Sequence, residues 1–174
     1  LEVIAQLGGM ILDCDAIYHD LLKANRDLLG QIAARFPGTV AEGQLLRKKL
    51  GQVVFSDPQA LSDLNGITHR FVCQAVEEAL KTKPPLAAID AIALVESGLS
   101  RLCDVTVAVT APEAVRVARL MVRDRIPESY ARARIAAQPS EDFFRTHCDY
   151  VLENNGTAQE FREKCLAFFS GLVI

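Results

Sequence analysis

The chain has 174 residues, half of them hydrophobic and 24% charged, and a formal net charge of −3. That balance suits one globular domain with a sizeable core. It excludes a membrane helix, because no apolar stretch approaches the ~20 residues a span needs, and the mild acidity argues against bulk coating of nucleic acid.

The sequence opens at Leu1 rather than Met, already inside a helical pattern that runs to Gly8, and Leu1-Glu2-Val3-Ile4 has neither the basic region nor the cleavage site of a secretion signal. A first strand is expected at Met10-Ile11-Leu12, running into Asp13. On the two-residue period of a strand, Asp13 and Asp15 of Asp13-Cys14-Asp15 share one face. Open α/β sheets bind ligands at the carboxyl ends of their strands, so the pair reads as base and metal contact. The alternative is structural, with Asp15 capping a helix that begins at Ala16.

About seventy residues of helical pattern then separate the first two strands. This is too long for a simple crossover, so residues 26–83 read as a helical insertion of the ligand-binding kind. Inside it, Asp57-Pro58 places a cap before a proline at the first helical position. Asn65 and His69 stand four apart on that helix, with Arg47 upstream. The expected core face is Phe71, Val72, Ala75, Val76, Ala79 and Leu80, which leaves His69 off that face, as an ordinary structural histidine or as a ligand contact.

A second strand, Leu86-Ala87-Ala88-Ile89, runs into Asp90, with Glu96 six residues beyond. An Asp after an apolar strand is how phosphate-transfer sheets hold Mg²⁺, usually through water, although turn chemistry favours Asp there too. The third strand is expected at Val105–Val109, followed by a helix start at Thr110-Ala111-Pro112-Glu113. A fourth, Tyr150-Val151-Leu152, comes near the end. Apolar strands without polar alternation, separated by helices, imply a three-layer α/β fold around a parallel sheet.

Between the last two strands lies a basic run. Residues 116 to 134 contain six arginines (116, 119, 123, 125, 132 and 134) against two acids, Asp124 and Glu128, and no lysine. Arg116, Arg119 and Arg123 share a helical face, and Pro127 starts a second helix, so the segment reads as an arginine-rich hairpin. It is either a solvated face or an anion-binding lid, and guanidinium forks suit phosphate oxygens. Asn154-Asn155-Gly156 is a turn that can also face a purine. Thr157 and Glu160 form a capping box before a last helix expected to bury Ala158, Phe161, Cys165 and Phe168. The five cysteines are scattered without a CxxC pair or zinc spacing to His19, His69 or His147, and read as buried thiols of a reducing cytoplasm.

In order, these segments resemble the dephospho-CoA kinase family. The family's Asp-x-Asp with an Ile two residues on resembles Asp13 to Ile17, and its Gly-x-Leu-Asp-Arg resembles Gly43 to Arg47. Val-Phe-x-Asp-Pro is similar to Val54 to Pro58, and Leu-Asn-x-x-x-His to Leu64 through His69. Asp90 through Glu96 resembles Asp-x-Pro-Leu-Leu-x-Glu, Arg119 through Asp124 resembles Arg-x-x-x-Arg-Asp, and Arg134 to Gln138 resembles Arg-x-x-x-Gln. Asp149 through Gly156 is similar to the ending Asp-x-Val-x-x-Asn-x-Gly. The resemblance covers essentially the whole chain.

It implies a P-loop nucleotide-kinase fold in a single kinase domain: a core of residues 1–25, 84–115 and 139–174, a CoA-binding insertion at 26–83 and a lid at 116–138. The implied reaction is transfer of the ATP γ-phosphoryl to the 3′-hydroxyl of dephospho-CoA in the cytoplasm, with ATP and Mg²⁺. Asp15 is then the base, with Asp13 the second choice, and Asp90 holds Mg²⁺ through water. Arg119 and Arg123 close over the phosphates. Arg47, Asn65, His69 and Glu96 bind the acceptor, while Arg119, Asn154, Asn155 and Gly156 bind the nucleotide. No nucleic-acid or membrane partner is implied, and oligomeric state is not legible.

Five positions depart from the family pattern: His19, Leu46, Arg70, Ile92 and Phe144. No Gly-x-x-x-x-Gly-Lys-Ser/Thr occurs, so the expectation is that the intact protein has a strand and phosphate loop of roughly twenty residues before Leu1, and that the chain alone does not turn over. The alternative readings are another P-loop kinase of small metabolites or nucleoside monophosphates, and a non-catalytic nucleotide-binding relative.

Overall fold

A computed structural model describes residues 1–172, which fall into two compact units, one spanning Leu1–Leu102 and the other starting at Cys103. In the first unit a short helix α1 (Glu2–Gln6) leads into β1 (Met10–Asp13). β1 pairs in parallel with β4 (Ala87–Asp90), in a register that sets Asp13 directly beside Asp90. Between these strands run α2 (Cys14–Ala24), α3 (Arg26–Arg35), a hairpin of β2 (Val40–Ala41) and β3 (Gln44–Leu45), α4 (Arg47–Ser56) and α5 (Pro58–Leu80). The expected helical insertion therefore forms, but it includes a hairpin that the helical pattern hides. The hairpin turns on Glu42 and Gly43, both at positive φ (52° and 74°). Two-residue turns of that kind normally advertise themselves as Asn-Gly or Asp-Gly, and a glutamate in the first place masks the signal.

α5 is the organising element of the first unit. Asp57 caps it, accepting from the Gln59 and Ala60 amides at 2.9 and 3.2 Å, with Pro58 in its first turn. Its buried stripe is Ala60, Leu64, Thr68, Val72 and Val76, a strict four-residue spacing. Of the expected face, Val72 and Val76 are buried, Phe71, Ala79 and Leu80 are half-buried and packed against the cores, and Ala75 is half-buried. Over 23 residues the helix meets two cores in succession. Its first half closes on Leu22, Leu28, Leu29, Ile32, Phe36 and Leu50, and its second half on Leu12, Cys14 and Leu99. Full burial of such aliphatic side chains contributes about 1.5–3 kcal/mol each, which ties the insertion to β1.

The second unit holds β5 (Val107–Thr110), α6 (Glu113–Asp124), α7 (Glu128–Ala136), α8 (Glu141–His147), β6 (Tyr150–Glu153) and α9 (Ala158–Ser170). β5 and β6 pair in parallel, Val107 opposite Tyr150. β5 begins two residues later than expected because Thr106 is taken up by Asp149. The Asp149 Oδ2 accepts from the Thr106 amide at 2.8 Å and its hydroxyl at 2.7 Å, and the Asp149 amide donates back to Thr106 Oγ1 at 3.0 Å. At α6 the N-cap is Pro112 with no side-chain bond, so Thr110 does not act as Asp57 does; it lies in the strand. The capping box of Thr157 and Glu160 forms. Of the four residues expected to be buried in α9, Cys165 is buried, Phe161 and Phe168 are half-buried and Ala158, in the first turn, is exposed. Among the described residues no helix is long and apolar enough to cross a membrane. Of the five cysteines expected to be buried, only Cys14 and Cys165 are, and the other three are half-buried.

Candidate active site

β1 delivers Asp13 to its carboxyl end, where the chain turns into α2 with no loop between. The Asp13 Oδ1 accepts from the Asp15 and Ala16 amides, each at 3.0 Å, which makes Asp13 the N-cap of α2. The capping role weighed for Asp15 therefore belongs to Asp13. Asp15 is not on a strand at all, and the common face expected from a two-residue period does not apply; a helix starting at Cys14 sets its direction instead. The Asp15 carboxylate is exposed, with a side-chain exposure of 80%. The parallel register brings Asp13 and exposed Asp90 side by side at the ends of adjacent strands. That is the carboxylate placement a hydrated divalent cation uses.

One turn along α2, His19 faces Asp15, with Nε2 3.6 Å from the carboxylate. The Nδ1 of the same ring lies 3.1 Å from Nη2 of Arg47. Arg47 is placed by the hairpin: the Leu46 amide donates to the Thr39 carbonyl at 2.7 Å, and α4 starts at the next residue. That start is unusual. Leu46 is the N-cap without a side-chain bond, no acid lies in the first turn, and Arg47, Lys48 and Lys49 stack three cations on the positive end of the helix. Helix ends prefer the opposite charge there, and such an end attracts anions. Tyr18 senses the same group: burial raises its phenol, Arg47 lowers it and Asp15 raises it.

On α5, Asn65 is exposed and His69 half-buried one turn later. Burial holds the His69 imidazole below its ordinary range, opposed by the negative charge of Glu96, which lies beyond β4. The Cys73 thiol, on the next turn, donates to the Ser97 carbonyl at 3.5 Å and links α5 to that same loop.

In the second unit, Arg119 projects from α6 to the turn after β6. It donates from Nη1 to the Asn154 carbonyl at 2.9 Å and from Nη2 to the Gly156 carbonyl at 3.0 Å. Both partners are neutral, so its charge is not cancelled. Arg123 is different. It makes a two-pronged pair with Asp124 at 2.7 and 3.1 Å, and Arg134 of α7 binds the same carboxylate at 2.6 Å. The two guanidiniums hold Asp124 down at about 2. Arg132 pairs with Glu113 and Glu128. The hairpin of α6 and α7 is thus laced by ion pairs that occupy Arg123, Arg132 and Arg134. Asn155 turns its side-chain amide to Glu153 at 3.2 Å.

The structure therefore joins Asp13 to Asp90, Asp15 to Arg47 through His19, His69 to Glu96, and Arg119 to Asn154 and Gly156. It gives Arg123 an acidic partner of its own. His19 and Asp124 are the residues the sequence reading did not use in the site; the spacing of His19 four residues after Asp15 on a helix was the available signal.

The family model of dephospho-CoA kinase (CoaE) matches residues 1–160. The chain belongs to the dephospho-CoA kinase family. It is 32% identical to the dephospho-CoA kinase of Syntrophotalea carbinolica, over 99% of this chain and 84% of that one. Against the dephospho-CoA kinase of Anaeromyxobacter dehalogenans it is 37% identical, over 90% of this chain and 77% of that one. A crystal structure from Thermus thermophilus superposes with a TM-score of 0.82 at 30% identity, covering 99% of this chain and 89% of that one. The dephospho-CoA kinase of Campylobacter jejuni gives a TM-score of 0.69 at 22% identity over the same shares, a likeness of fold. In this dephospho-CoA kinase family member the α/β fold with parallel strands and the assignment as a phosphotransferase agree with what the motifs imply.

Proposed function

We propose that the whole enzyme transfers the γ-phosphoryl group of ATP to the 3′-hydroxyl of dephospho-CoA, giving coenzyme A and ADP. The observation that carries this reading is the family match across residues 1–160, and the placement of acidic groups at the carboxyl ends of paired strands supports it. A bond forms between the ribose oxygen and the γ-phosphorus as the bond to the β,γ-bridging oxygen breaks, and the hydroxyl proton passes to a base. Asp15 is the base: its carboxylate is exposed, whereas Asp13 is engaged in capping α2. A positioned base of this kind contributes about 10²–10⁴-fold. Positioning and charge stabilisation supply most of the rest.

Arg47 and the uncapped cationic start of α4 suit the diphosphate of the acceptor, with Asn65, His69 and Glu96 completing its pocket. Arg119 keeps an uncancelled charge for the ATP phosphates while ordering the Asn154-Asn155-Gly156 turn for the purine. Arg123 serves the phosphates by exchanging Asp124 for them when the lid engages. Asp90, with Asp13 beside it, fits a Mg²⁺ that keeps several waters, and the ion when bound offsets charge on the phosphates. Residues 26–83 form the acceptor-binding insertion and 116–138 the lid. Five scattered cysteines suit a reducing cytoplasm.

The test is ATP-dependent phosphorylation by the whole enzyme, offered dephospho-CoA, nucleoside monophosphates and shikimate. Phosphorylation of dephospho-CoA alone is expected. Transfer to another acceptor refutes the reading, and nucleotide binding without turnover favours a non-catalytic relative.

A further inference from the structure

Arg47 and Asp15 are opposite charges in one site, yet they do not pair directly: the His19 ring stands between them. A guanidinium has only donors, so the Nδ1 of His19, 3.1 Å from Arg47 Nη2, must accept. In the neutral ring the proton is then on Nε2, which points at the Asp15 carboxylate 3.6 Å away, an electrostatic contact rather than a full hydrogen bond. Among the described residues no carboxylate lies within ion-pair distance of Arg47.

We propose that His19 is a positioning residue that holds the Arg47 guanidinium beside Asp15 but apart from it. The proposal rests on the phosphotransfer reading above. The physical point is charge availability. A direct ion pair would offset the Arg47 charge needed by an acceptor diphosphate and would stabilise the Asp15 carboxylate against taking a proton. A neutral imidazole bridging the two fixes both side chains, one from α2 and one from the first residue of α4, while leaving each charge to act on substrate. It also fixes the relation between the group that grips the acceptor and the group that receives its proton.

The test has a spectroscopic and a kinetic arm. The chain has three histidines, so imidazole ¹⁵N spectra resolve His19. Its Nδ1 is expected to be unprotonated and hydrogen-bonded at neutral pH, and Arg47→Ala is expected to move that resonance towards the value of a free ring. A proton on Nδ1, or a resonance indifferent to Arg47→Ala, overturns the proposal. In the whole enzyme, His19→Phe is expected to raise the KM for dephospho-CoA about tenfold, the loss of one hydrogen bond to a charged group, with the KM for ATP and the melting temperature unchanged. His19→Gln, which can both accept and donate, is expected to stay within about threefold of wild type on the same grounds. A Phe variant with wild-type KM for the acceptor, or a Gln variant as impaired as Phe, also overturns it. If the wild-type enzyme does not phosphorylate dephospho-CoA, the functional reading falls, while the nitrogen resonance still decides the role of His19.

Discussion

Two neighbouring aspartates can be separated by substitution, because the structure gives them different work. Asp13 accepts two amide hydrogen bonds at 3.0 Å and starts the 11-residue helix that carries Asp15 and His19. Removing such a cap costs about 1–2 kcal/mol, so Asp13→Ala is expected to lower the melting temperature by about 2–8 °C in a chain of this size. Asp13→Asn keeps an acceptor oxygen at the cap, and its melting temperature should stay within about 2 °C of wild type. Asp15 makes no cap, and Asp15→Asn should change stability by less than about 0.5 kcal/mol. Its effect is on chemistry: kcat for dephospho-CoA phosphorylation should fall about 10²–10⁴-fold. Thermal melts and steady-state kinetics on the four proteins read both quantities. If Asp15→Asn destabilises as much as Asp13→Ala, the capping assignment is wrong. If Asp13→Asn abolishes turnover while Asp15→Asn leaves it intact, the two roles are reversed.

Other consequences can be checked independently. Burial holds the folded His69 below the ordinary imidazole range, so stability from this group is full above about pH 6.5 and declines as pH falls through that range; Glu96→Gln should push the NMR titration of His69 lower still, and an unmoved curve would refute the coupling. Hydrogen bonds from Thr106 hold Asp149 below the ordinary carboxylate range, so its contribution is present above about pH 4 and disappears as the group protonates; Asp149→Ala should lower the melting temperature at pH 7, and the deficit should shrink as pH falls below about 4. Leu46→Asp should cap α4 and offset its three cations, adding about 0.5–2 kcal/mol of stability, while a melting temperature unchanged or lower would show that Leu46 packing outweighs the cap. Arg119→Lys cannot reach both carbonyls of the Asn154–Gly156 turn, and the KM for ATP should rise about tenfold; an unchanged KM would dissociate that turn from nucleotide binding.

The sequence by itself determined the features whose signals are local. Asp57-Pro58 and Thr157 with Glu160 set helix starts because a cap is a contact across three or four residues. The four apolar strand runs and the arginine hairpin were legible because periodicity and composition need no partner to be read. The colinear motifs were enough to name the family that the match over residues 1–160 bears out. What the tertiary structure decided is everything that depends on register or on a contact between distant segments. The common face expected for Asp13 and Asp15 failed because a helix begins between them, whereas Asp13 and Asp90, 77 positions apart, became neighbours through a strand register that no local pattern encodes. Two successive cores decided that the inward stripe of α5 begins at Ala60 and Leu64, ahead of the expected apolar face. Arg47 meets His19 only because a turn disguised by Glu42 brings α4 back to α2. Local propensity places each side chain along its element, and long-range packing chooses which of them share a site.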